Sequence, residues 1–133
     1  MTSQEIFDTV LEHLREQGKA STNRSGECRY RGEGGTACAV GCLLPDELYH
    51  PLIEGVAVEQ LLGADSLPSS YKSHAEMLPI MARIEGHLGA EHLKLLKELQ
   101  DAHDMSLSLK GLPAWENEMR QIARWFDLAY KSA

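Results

Sequence analysis

The sequence predicts a mainly α fold: a bundle of about four main helices with a small β-hairpin or loop cap at residues 26–45, in a single domain spanning residues 1–133. Apolar residues recur at helical intervals in four long stretches, and prolines and glycines separate these stretches. The glycine-rich segment that carries all three cysteines is typical instead of short strands and turns. A chain of 133 residues has the usual length of one domain.

The first helix is predicted between Thr2 and Gly18. Thr2 and Glu5 have the spacing of a capping box, in which each side chain binds the backbone amide of the other residue. Gly18 is a typical helix terminator, because glycine adopts the left-handed conformation without strain. The apolar stripe of this helix consists of Ile6, Phe7, Val10, Leu11 and Leu14.

The cap follows the first helix. Residues 28–31 form a candidate short strand, and Gly32-Glu33-Gly34-Gly35 a flexible turn. Residues 36–44 return either as a second strand or as a short helix, and we favour a brief hairpin that runs into a helical turn. Small residues at positions 37, 39 and 41 predict close packing against another element.

Two short helices are expected next. Pro45-Asp46-Glu47 is a typical helix start, because proline is tolerated in the first turn, and Pro51 would close this helix. The apolar residues between positions 56 and 62 predict another short helix, which ends at Gly63.

Three longer helices are predicted in the second half. One runs from Ser73 to Gly89 and the next from Ala90 to His103, followed by a linker over residues 104–112. Pro113 opens the last helix. Its apolar stripe consists of Trp115, Met119, Ile122, Ala123, Phe126 and Tyr130.

Charge and hydropathy disfavour two classes of protein. The net charge is −7, and residues 1–66 carry 11 acidic and 5 basic side chains, so a basic surface for nucleic acid is not expected. No apolar stretch is long enough for a transmembrane helix. The first residues lack the features of a signal peptide, so we expect a cytoplasmic protein with reduced thiols.

The three cysteines and a nearby histidine suggest a zinc site. Cys28, Cys38, Cys42 and His50 lie close in sequence, and zinc takes four such ligands. The spacing lacks the paired CxxC motifs of most structural zinc sites, so we favour buried structural thiols and no cofactor, with zinc and a reactive thiol as alternatives. Asp101, His103 and Asp104 form another candidate polar or metal group, although an exposed helix end is the preferred interpretation.

No catalytic motif is present, because HExxH, the P-loop and GxGxxG are all missing. An enzyme is therefore not favoured. The segment 24–50 mixes charged and aromatic side chains as binding surfaces do. The predicted binding surface comprises Arg29, Tyr30, Arg31, Asp46, Glu47 and Tyr49.

Residues 28–32 and 38–49 resemble a family of small uncharacterised phage, prophage and bacterial proteins with a CxYR…CAVGCLIPDExY stretch. Glu54-Gly55, residues 99–104 and residues 115–126 are similar to later blocks of that family. The resemblance spans most of the chain. It implies a small cytosolic accessory protein of phage or prophage origin and supplies no catalytic residues.

The function expected from these observations is binding to a host protein. One alternative is a zinc-stabilised structural module. Another is a small-ligand-binding protein or an enzyme that uses a cysteine or the pair Arg29 and Arg31 against an anionic substrate. The sequence is also compatible with a homo-oligomer.

Overall fold

The computed structural model describes residues 1–133 and confirms a mainly α fold with four main helices. The helices are α1 (Ser3–Gln17), α2 (Val58–Leu61), α3 (His74–Leu88), α4 (Leu93–Asp101) and α5 (Leu112–Trp125). One hydrophobic core takes side chains from all five helices and from residues 38–44. None of the helices combines the length and the apolar character needed to cross a bilayer.

Helix α1 begins and ends where the sequence predicts. The Thr2 hydroxyl accepts from the Glu5 amide at 3.1 Å, and the Glu5 carboxylate accepts from the Thr2 amide at 2.8 Å. Gly18 ends the helix with a φ of 74°. All five residues of the predicted apolar stripe are buried, so this face packs on the core.

Residues 19–57, which we call the irregular segment, contain the predicted loop cap and only short helical turns. Two isolated antiparallel bridges pair Thr22 with Cys28 and Arg31 with Ala37. The chain then forms one 3₁₀ turn at Gly41–Leu43. The two predicted strands therefore approach each other, but no continuous ladder forms.

Gly41 explains why the irregular segment can pack so closely. A Cβ at this position would lie 2.0 Å from the carbonyl oxygen of Tyr30. The backbone of residue 41 therefore touches the backbone of residue 30, as the small residues at 37, 39 and 41 predict.

The predicted secondary structure is wrong in two places. The helix expected at Pro45 is only a turn over residues 46–48, because too few residues remain before the 3₁₀ turn that begins at Pro51. The linker expected over residues 104–112 is partly helical, since α4 continues as a π-helical turn at Ala102–Leu107. Buried Ala102 and Leu107 anchor that turn to the core.

Candidate functional site

A cleft of about 350 Å³ lies between the irregular segment and α4. Residues 28–30 and 54–59 line two of its sides. Lys97, Gln100 and Asp101 of α4 line the third side together with Asp104 from the π-helical turn. Segments distant in sequence thus meet at one concave surface, the usual location of a binding site.

Glu54 organises the wall of the cleft. Its carboxylate accepts from the backbone amides of Tyr30 at 2.8 Å and Arg31 at 3.0 Å, and from the Tyr49 hydroxyl at 2.8 Å. Arg29 Nε lies 3.4 Å from the same carboxylate. Only 7% of the Glu54 side chain is exposed, so these contacts fix residues 29–31 in place. Burial and the bond to Glu54 raise the pKa of Tyr49 to about 12.

Two residues that line the cleft, Cys28 and Asp104, form a cluster with His103, which is fully buried behind them. Their potential ligand atoms all lie within 4.8 Å of one another. The Ser21 amide donates to His103 Nε2 at 2.9 Å, and the second ring nitrogen, Nδ1, lies 2.7 Å from Asp104 Oδ1. Because an amide N–H can only donate, Nε2 is the acceptor and the ring proton is on Nδ1, which donates to Asp104.

The hydrogen bonds of this cluster limit its metal chemistry. A metal would need the Nδ1 lone pair, yet Nδ1 carries the proton that binds Asp104. If the proton moved from Nδ1 to Nε2, two N–H donors, Nε2 and the Ser21 amide, would face each other. The cluster is therefore arranged as a hydrogen-bond network. His103 is fully buried, so the exposed helix end expected from the sequence is wrong at this residue.

The four predicted zinc ligands are not brought together, since the only cluster of potential ligands contains Cys28 without the other three. Cys38 is fully buried, and its sulfur accepts from the Gly41 amide at 3.3 Å. The Cys42 thiol donates to the Ala39 carbonyl at 3.1 Å. His50 is exposed, and its Nδ1 accepts from the Leu52 amide at 3.1 Å.

All three thiols are poor nucleophiles in this environment. Burial raises the pKa of Cys28 and Cys38, and it raises the pKa of Cys42 to about 12. A thiol attacks as the thiolate, so a raised pKa lowers the reactive fraction at neutral pH.

The residues of the predicted binding surface are only partly brought together. Arg31 donates to Asp46 at 2.7 Å and to the Leu44 carbonyl at 2.7 Å, and its guanidinium lies 4.8 Å from the centre of the Tyr49 ring. Glu47, the residue after Asp46, is exposed. Tyr30 instead lies in the core, because its ring packs with apolar residues and its hydroxyl donates to the Val56 carbonyl.

The cleft has an excess of negative charge. It is lined by four carboxylates (Glu54, Glu59, Asp101, Asp104) and two cations (Arg29, Lys97), which leaves a difference of two negative charges. Glu54 lies beside Arg29, and Glu59 lies 3.8 Å from Lys97. Asp101 and Asp104 have no Lys or Arg within ion-pair distance. Partial burial raises the pKa of Asp101; the charge of Lys97 opposes this rise, and Asp104 and Glu59 add to it.

The sequence indicated Cys28, Arg29, Tyr30, Asp101 and Asp104, but as parts of three separate candidate sites, and the cleft that they share was missed. Glu54, Gln100 and Asp101 reach it from segments that are far apart in the chain, and no local spacing signals that meeting. Comparison of the chain with protein-family models, with curated proteins and with solved structures gave no match.

Proposed function

We propose that the protein is a non-enzymatic binding protein that takes a positively charged segment of a partner protein in the cleft. If the resemblance to phage and prophage proteins reflects common ancestry, the partner is a host protein and the complex forms in the host cytoplasm. The cleft replaces the surface around Arg31 as the preferred contact site, because Arg31 and Asp46 already neutralise each other.

The observation that carries this proposal is the pair of carboxylates that form no ion pair with a Lys or Arg, Asp101 and Asp104. Asp104 already accepts bonds from His103 and from Gln100, the latter at 3.0 Å. Asp101 is exposed, so it is free to contact a partner. A lysine or arginine entering the cleft would offset the repulsion between these acids.

The absence of an activated nucleophile favours binding over catalysis. The thiols have raised pKa values, and both ring nitrogens of His103 are engaged in hydrogen bonds. A general base needs a free nitrogen within reach of its substrate, and His103 offers none.

The test is titration of the protein with fluorescent octalysine and octaglutamate peptides. We expect only octalysine to bind, and we expect Asp101→Asn to weaken it about threefold, the effect of one partly exposed charge pair. Glu76→Gln removes the same charge from an exposed site on α3 that does not line the cleft. Equal weakening by both variants would contradict the proposal, because binding would then follow the net charge alone.

A further inference from the structure

A second groove, lined by three apolar and five polar or charged residues, adjoins the cleft. Met105 and Leu109 line this groove together with Ala102, and they are 59% and 69% exposed. Asp101 lines both the groove and the cleft, so the two surfaces meet at that residue. A ligand lying across Asp101 would therefore contact both.

A third exposed apolar side chain lies on α5, beyond the end of the groove. Glu118 lines the groove, and Trp125 follows it by seven residues in the same helix. Seven residues are almost two turns, so Trp125 lies on the same face about 10.5 Å further along. Trp125 is 72% exposed, the largest exposure of any large hydrophobic residue in the chain.

Such side chains are typical of a surface that is covered in a complex. Trp and Met are enriched at protein interfaces, and Met adapts its shape to different partners. Met105 and Leu109 lie four residues apart and line one groove, so they form a patch rather than isolated exceptions, and Trp125 lies beyond its end. The other exposed large hydrophobics, which are Met1, Tyr71 and Leu78, belong neither to the groove nor to α5.

The charges around the groove define the occupant. Its rim carries three carboxylates, Glu98, Asp101 and Glu118, and one cation, Lys110. A second copy of this chain would bring the same acids face to face, with a net charge of −7 on each copy. A partner with basic residues beside an apolar stripe would instead match both the rim and the groove.

We infer that the partner segment is a basic amphipathic helix. Its apolar stripe lies on Met105, Leu109 and Trp125, and a lysine or arginine on its polar face enters the cleft beside Asp101. This is the helix-in-groove mode of recognition. The inference rests on the proposed function and adds the shape of the partner to its charge.

The experiment uses three labelled peptides of about 18 residues, roughly 27 Å long when helical. The first places leucines on one helical face and lysines on the other. The second has the same composition in a scrambled order without an apolar face, and the third replaces lysine by glutamate. Fluorescence anisotropy measures binding to the full-length protein.

The first peptide is expected to bind at least tenfold more tightly than the scrambled one, and the glutamate peptide is not expected to bind. Leu109→Ser and Trp125→Ser should each weaken the first peptide about tenfold, as interface anchors do. Leu78→Ser is the matched control, since Leu78 is 47% exposed on α3 and does not line the groove. All three positions are exposed, so each variant should keep its thermal unfolding midpoint.

The other possible outcomes distinguish failure of the inferred helical partner from failure of the proposed function. If both basic peptides bind equally and only Asp101→Asn weakens them, the cleft keeps its function and the helical partner is ruled out. If neither basic peptide binds, the proposed function fails, and the inference with it. If sedimentation finds a dimer that Leu109→Ser dissociates, the groove binds a second copy and the inference is overturned.

Discussion

The helices and the irregular segment provide hydrogen-bond acceptors for their buried backbone amides in different ways. In the helices the amides beyond the first turn bind carbonyls of the same helix. In the irregular segment the amides of four buried residues instead bind side chains from elsewhere in the chain, and we call these side chains the acceptor set. The pairs are Ser21 with His103, Tyr30 with Glu54, Ala37 with Gln17, and Val40 with Gln100.

The comparison shows that a loop can be as deeply buried as a helix if polar side chains accept the hydrogen bonds that backbone carbonyls accept in a helix or a sheet. Cys38, Ala39 and Val40 are all fully buried although they lie outside any regular element. A buried amide without a partner would cost about 1–3 kcal/mol. The acceptor set removes that cost, and it fixes the irregular segment against α1 and α4, where it forms the cleft.

Loss of His103 should have the largest effect on this arrangement. We expect His103→Leu to lower the free energy of unfolding by about 4 kcal/mol, because the Ser21 amide and Asp104 both lose a buried partner. Urea unfolding measures the change. His50→Ala is the control, since His50 accepts from Leu52 at an exposed site and its loss should cost less than about 1 kcal/mol. Equal effects of the two variants would contradict the comparison.

Gly41→Ala should have the next largest effect. The added Cβ would overlap the Tyr30 carbonyl, so the irregular segment must move, and we expect a loss of about 3 kcal/mol. Gly86→Ala is the matched control in α3, where nothing lies within 4 Å of the added carbon. That control should raise stability by about 0.8 kcal/mol, because alanine is the better helix former. Similar results for both variants would show that the close approach at Gly41 is not needed.

A polar link within the helical region should contribute less. Arg15 binds Glu116 through two bonds, with Nε at 2.5 Å from Oε1, and joins α1 to α5, while Tyr130 contacts both. The two paired side chains are each 20% exposed, unlike fully buried His103. We expect Glu116→Gln to cost about 1 kcal/mol at pH 7.

This link should also depend on pH. The hydrogen bonds from Arg15 hold the pKa of Glu116 below its usual value, so the folded carboxylate is harder to protonate than the unfolded one. The stabilisation is therefore complete above the unfolded pKa of about 4.3 and is lost as pH falls through the lower folded value. Stability curves of wild type and Glu116→Gln should converge in acid. A constant difference down to the lowest pH would contradict this reading.

Zinc should have no effect on stability. Because Nδ1 of His103 carries a proton in the network, we expect less than about 0.2 zinc per chain after purification without chelators and no rise in the unfolding temperature on adding zinc. Elemental analysis and thermal unfolding check this. Stoichiometric zinc that disappears in Cys28→Ser would show that the cluster is a metal site.

The sequence predicts the helices far better than the irregular segment and the cleft, because helices depend on local signals and the other two depend on contacts between distant residues. Helix α1 follows from local signals, namely the Thr2 cap, the apolar stripe and Gly18. The π-helical turn and the cleft depend on contacts between distant residues, such as His103 with Ser21, 82 positions apart. Gln100 looks like an ordinary polar surface residue in the sequence, and His103 like part of an exposed helix end or a local polar or metal group. Only the folded chain places both beside amides that lack a backbone partner.

Hydrogen exchange at the amides of Ser21, Tyr30, Ala37 and Val40 tests most directly whether the acceptor set holds the irregular segment and preforms the cleft. These four amides should exchange as slowly as those in the centre of α1, since opening them requires global unfolding. In His103→Leu the Ser21 amide should become the fastest of the four. Exchange of all four in the wild type at the rate of an open loop, such as residues 69–70, would contradict the account.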